Sequence, residues 1–111
     1  MTQPNDLAKE PCLDLPKGTP PLDEATLSAL LPQGWNIVEG RLVRRYKTAN
    51  FAQALDLAVR AGAVAEAANH HPDITFGWGY CELRFYTHSI NGLSRNDLIA
   101  AAKINEAELG A

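Results

Sequence analysis

The residues best suited to chemistry lie between positions 66 and 97. His70 and His71 are adjacent, Glu66 stands four positions before the first, and Pro72 follows the second. A third histidine, His88, closes the next strand-like alternation. Histidine has an ordinary pKa near neutrality, so it can give and take protons at cellular pH. Neighbouring residues cannot share one helix face. The pair therefore fits a place where a helix stops and the chain turns. Pro72 supports this, because the residue before a proline is pushed out of the helical region. At (i, i+4), Glu66 and His70 are expected to share a face, where the carboxylate would orient the ring and fix its tautomer. Asn69 lies on the adjoining edge, and Asp73 just beyond the proline. With His71 and His88, these groups could surround a small polar molecule and carry out general acid–base catalysis. A polar helix terminus, with histidines at the negative end of the dipole, is the plainer alternative. Both readings account for the residue types.

Other chemistries fit less well. Zinc takes histidine and carboxylate ligands, but adjacent histidines are awkward partners in one coordination sphere, and no HExxH spacing occurs. No activated nucleophile stands out: Cys81 falls on the inward side of its strand, and Ser89 and Ser94 have no evident base. Asp97 has a sufficient structural role, since Ser94-Arg95-Asn96-Asp97 reads as a capping box. Trp78 and Tyr86 could stack on a planar ligand, although core packing is the commoner fate of such rings.

The elements that must position these groups follow from periodicity. Residues 1–21 carry Pro4, Pro11, Pro16, Pro20 and Pro21. They read as an extended or disordered arm, whose Leu13 and Leu15 could lie on the domain surface. Residues 22–111 read as one domain. Asp23 caps a short helix with an apolar stripe of Leu27, Leu30 and Leu31, ended by Pro32 and Gly34. Residues 35–38 and 42–46 read as strands joined through Glu39-Gly40. Asn50 caps the longest helix, residues 51–69, with Phe51, Leu55, Ala58, Ala61 and Ala65 at helical spacing. Residues 74–78 form a short strand. Residues 81–88 alternate as a half-buried one with His88 at its end. Asn91-Gly92 turns the chain, and Ser94 opens a helix over 95–109. The order α-β-β-α-β-β-α predicts an α+β fold with helices on one face of an antiparallel sheet.

Composition narrows the function classes. The chain has 111 residues, 46% of them hydrophobic, and a net charge of −3. One core can form without staples. The charge gives no footprint for sequence-independent nucleic-acid binding; the basic run from Arg41 to Lys47 reads as a solvated strand face. Two distant cysteines, Cys12 and Cys81, suggest free thiols in a reducing compartment. No apolar run reaches membrane-span length and no signal-peptide plan opens the chain, so a soluble cytoplasmic protein is expected.

Taken together, Glu66-x-x-x-His70-His71-Pro72, the aromatic Trp78, Thr87-His88, and Gly92-Leu93-Ser94-x-x-Asp97 resemble the pterin-4a-carbinolamine dehydratases, also called 4a-hydroxytetrahydrobiopterin dehydratases. The resemblance covers roughly residues 21–109. It implies a four-stranded antiparallel sheet with three helices on one face. It also implies dehydration of 4a-hydroxytetrahydropterin to quinonoid dihydropterin, in recycling the cofactor of aromatic amino acid hydroxylases. By the same resemblance, His70 and His88 are acid–base groups, His71 contacts substrate, and Glu66 orients them. Asn69, Pro72, Asp73, Trp78, Tyr86, Thr87 and Asp97 are expected around the pterin. No metal or organic cofactor is implied, and a homodimer or homotetramer is. Ile74 stands where some relatives have tryptophan, and Cys12 and Leu15 stand where some bacterial relatives have a CxxC-like pair. The family also contains binding proteins: dimerisation cofactors of a homeodomain transcription factor, and Rubisco assembly factors.

Overall fold

The computed structural model describes residues 3–109. Among them the elements run α1 (Glu24–Leu30), β1 (Asn36–Val38), β2 (Arg41–Lys47), α2 (Phe51–Ala68), β3 (Asp73–Gly77), β4 (Tyr80–Phe85) and α3 (Arg95–Glu106). Short 3₁₀ helices occupy Pro4–Lys9 and His88–Ile90. The strands make one antiparallel sheet in the order β1-β2-β4-β3. Three helices cover one face, so the fold is the expected α+β arrangement.

Local chemistry explains these boundaries. Glu39 and Gly40 both take positive φ, 50° and 75°, the conformation that a tight β1–β2 turn requires. Asp23 accepts from Thr26 N–H, and Asn50 accepts from Gln53 N–H, so each helix start has a capped donor. The register pairs Leu42 with Phe85, Arg44 with Leu83 and Tyr46 with Cys81. Alternation places Leu42, Tyr46, Cys81, Leu83 and Phe85 under the helices, where they are buried with Leu57, Ala58, Ala61, Leu98 and Ile104. It also splits the basic run. Arg44 points inward, over the Tyr46 ring and bonded to Asn105, while Arg45 lies over Tyr80 and pairs with Glu82.

The N-terminal segment corrects the sequence reading. Residues 4–9 are neither extended nor disordered but form a 3₁₀ helix docked on α3, while residues 11–21 have no helix or strand. Leu7 is fully buried, and Lys103 donates to the Ala8 carbonyl at 2.7 Å. Arg95 grips Glu10 through two bonds of 2.8 and 2.7 Å. Asn96 holds Leu13 at both backbone groups. Pro21 packs on Gly92 so closely that a Cβ there would come within 2.7 Å of it. The prolines bar regular helix and sheet, but they do not bar this aperiodic docking.

Candidate active site

The site forms where the end of α2, the end of β4 and the first turn of α3 converge. Helix α2 stops because Asn69 adopts the left-handed conformation, φ 54° and ψ 37°, and its N–H closes the last turn onto Ala65 and Glu66. That reversal separates the two histidines. His70 turns inward, with 14% of its side chain exposed, and its Nε2 lies 2.6 Å from Asp97 Oδ1. His71 turns outward, 3.1 Å from Glu66 Oε2. The expected Glu66–His70 pairing is therefore corrected. The (i, i+4) relation holds only while the helix continues, and Asn69 breaks it one residue too soon. Glu66 serves His71 instead, and that pair is exposed, 80% and 54%, and worth only about 0–1 kcal/mol.

Asp97 has its expected structural role, and it also holds His70. It is completely buried and completes the capping box: its Oδ2 accepts from Ser94 N–H at 2.9 Å and from Thr87 Oγ1 at 2.7 Å. Ser94 Oγ lies 2.7 Å from Thr87 Oγ1. A buried carboxylate is tolerable because every contact onto it is a donor. Its acceptor-only setting assigns the proton on His70 Nε2, which leaves Nδ1 as the ring nitrogen without a protein partner among the described residues. Phe85 lies parallel beneath the His70 ring, with centroids 5.8 Å apart and planes at 9°, and so fixes its tilt. A histidine is thus held in one orientation from behind and beneath.

The third histidine arrives differently from expectation. Strand β4 ends at Phe85, and His88 opens the 3₁₀ turn His88–Ile90, pinned by the Thr87–Gly92 bridge. Its ring meets Tyr86 edge-on at 4.9 Å, and the Arg41 guanidinium covers the Tyr86 ring at 3.7 Å.

A cavity of about 310 Å³ is lined by His70, His71 and His88, together with Asn69, Tyr86 and Thr87. Glu66 and Asp97 stand behind its histidines. Pro72 and Asp73 lead away into β3 and are outside the lining, and Trp78 sits 74% exposed at the β3–β4 turn, at the far end of that hairpin. Within one chain, Trp78 cannot stack on a ligand in this cavity. The lining also holds Cys12, Leu13, Asp14, Leu15, Ser89 and Asn96, which the sequence reading did not place there. Only Asn96 carried a signal, as neighbour of the capping aspartate. Burial pushes the Cys12 thiol pKa up, so it stays a neutral donor to the Asn96 carbonyl. Among the described residues, no three His, Cys, Asp or Glu side chains converge as metal ligands. No described helix is long and apolar enough to cross a membrane.

Comparison with known proteins shows what the chain is similar to. Residues 20–107 match the family described as pterin 4 alpha carbinolamine dehydratase. A protein of Rubrobacter xylanophilus, named as a candidate pterin-4-alpha-carbinolamine dehydratase, is 42% identical over 104 residues, spanning 91% of this chain and 97% of its own. One of the same description from Paracoccus denitrificans is 46% identical over 94 residues, 81% of this chain and 88% of its own. The crystal structure of a transcriptional coactivator/pterin dehydratase from Brucella melitensis superposes with a TM-score of 0.71 at 26% identity, covering 82% of this chain and 99% of that one.

Proposed function

Because the chain belongs to the pterin 4 alpha carbinolamine dehydratase family, we propose that it removes water from a 4a-hydroxytetrahydropterin by histidine acid–base catalysis. One observation carries the reading. His70 is locked by a saturated, buried Asp97, keeps its second ring nitrogen without a protein partner among the described residues, and lines a cavity that His71 and His88 share. Dehydration asks for two proton transfers. The C4a–O bond breaks as the hydroxyl oxygen gains a proton and leaves as water. The neighbouring ring N–H loses its proton, and the freed electron pair forms the C=N bond of quinonoid dihydropterin. No electron is gained or lost overall. His70, oriented by Asp97, suits the proton acceptor. His88, in the same lining, suits the donor, and the more exposed His71 contacts the substrate. Asn69, Tyr86 and Thr87 complete the contact surface. This chemistry needs neither metal nor organic cofactor, and its product would re-enter tetrahydropterin recycling beside an aromatic amino acid hydroxylase.

A homo-oligomer accompanies the proposal. Phe51, Leu55 and Val59 recur every four residues along α2 and are 47%, 44% and 64% exposed, a surface that a second copy could cover. A binding-only role would need a surface rather than the histidines. Turnover separates the two. Purified protein added to 4a-hydroxytetrahydropterin should accelerate the appearance of quinonoid dihydropterin, and His70→Ala should abolish most of that acceleration. A wild-type protein that leaves the spontaneous rate unchanged would overturn the enzymatic reading in favour of the binding one.

A further inference from the structure

We infer that Asp14, in the docked N-terminal segment, is a specificity-determining residue that accepts the 2-amino-4-oxo edge of the pterin ring; this rests on the dehydratase reading above. A pterin offers two parallel donors on that edge, N3–H and the 2-amino group, in the fork geometry that a carboxylate accepts bidentately. The site contains three carboxylates that could receive them, and two are committed. Asp97 is buried, with Oδ1 taken by His70 and Oδ2 by Thr87 and Ser94 N–H. Glu66 lies outside the cavity lining and holds His71. Asp14 is the carboxylate of the lining itself, and it makes no hydrogen bond or ion pair among the described residues.

Its placement is built into the fold. Asn96 clamps the preceding residue at both polar backbone groups, accepting from Leu13 N–H at 3.0 Å and donating to Leu13 C=O at 2.7 Å. Asn96 is itself next to Asp97 in the first turn of α3. The turn that fixes the His70 partner therefore also fixes the segment carrying Asp14. The histidines would act on the C4a side of the substrate, while Asp14 reads the pyrimidine edge.

The test compares pterin with its 2-oxo analogue, pteridine-2,4-dione, in which the 2-amino donor becomes an acceptor. Dissociation constants come from pteridine fluorescence titration, alongside KM and kcat on 4a-hydroxytetrahydropterin. Wild type should favour pterin by roughly 10- to 100-fold, the range of a charge-assisted hydrogen bond. Asp14→Ala should lose that preference and raise KM by a similar factor, with a smaller change in kcat. Asp14→Asn should shift the preference toward the dione, because its amide can accept from N3–H and donate to the 2-oxo group. A merely structural Asp14 could not produce that exchange. If both variants keep the wild-type constants while turnover persists, the Asp14 assignment is wrong and the dehydratase reading stands. A wild type that neither binds pterin nor turns over would overturn both.

Discussion

The energetic weight of the site rests on very few atoms. His70→Ala and His88→Ala should each lower kcat by roughly 10²–10⁴-fold, the usual contribution of a general acid or base, with the fold kept by circular dichroism. His71→Ala should act more on KM, since its ring is the more exposed. Glu66→Gln should change kcat/KM by no more than roughly fivefold, because its bond is exposed. Asp97→Asn is different in kind. An amide must turn its NH₂ toward His70, Thr87 or Ser94 N–H, each of which donates to the carboxylate. Urea unfolding should show a loss of about 1–3 kcal/mol. In a double-mutant cycle, its loss of kcat should not add to that of His70→Ala. Residue types and spacing were enough to bring the three histidines together. They named the wrong carboxylate for His70, because the left-handed Asn69 reverses the chain between helix and pair, and spacing rules carry no information past such a reversal.

At the level of elements, the unexpected one is the N-terminal segment. Leu7 is fully buried against α3, so Leu7→Ala should cost about 2–5 kcal/mol in denaturant unfolding. Deleting residues 1–15 should lower the melting temperature and weaken substrate binding, since part of the cavity wall goes with them. Docking should also depend on pH. The Arg95 guanidinium holds the Glu10 carboxyl below its ordinary range. A depressed acid pKa stabilises the folded state above the unfolded value and loses that contribution as pH falls through the folded one. The segment should therefore loosen below roughly pH 4.3, seen as rising amide exchange at residues 7–13, and Glu10→Gln should remove that step. The helices and strands were legible because caps, turns and alternation are local signals. Asp23, Asn50 and Ser94 each marked a helix start, and Glu39-Gly40 marked the hairpin. The segment's anchors join side chains to distant backbone groups, and no periodicity records them. The same holds for the cavity wall of Cys12, Leu13, Asp14 and Leu15.

For the molecule as a whole, the apolar row on α2 is the main exposed feature. If copies associate through it, Val59→Asp should shift sedimentation toward the 12.1 kDa protomer while leaving the helix content unchanged. A wild type that sediments only as the protomer at micromolar concentration would remove the oligomer from the proposal. A second whole-molecule property follows from the anchors of the N-terminal segment. They join positions 83, 85 and 95 residues apart, so this segment is held almost entirely by α3. During translation, residues 7–15 leave the ribosome long before the helix that retains them. Closing so long a loop is also entropically late in folding. A nascent polypeptide stalled before α3 already carries His70, His71 and His88, yet it has no Asp97 to hold His70 and no Asn96 to hold the wall. Such a fragment would be stripped of its chemistry by timing alone, with every histidine in place.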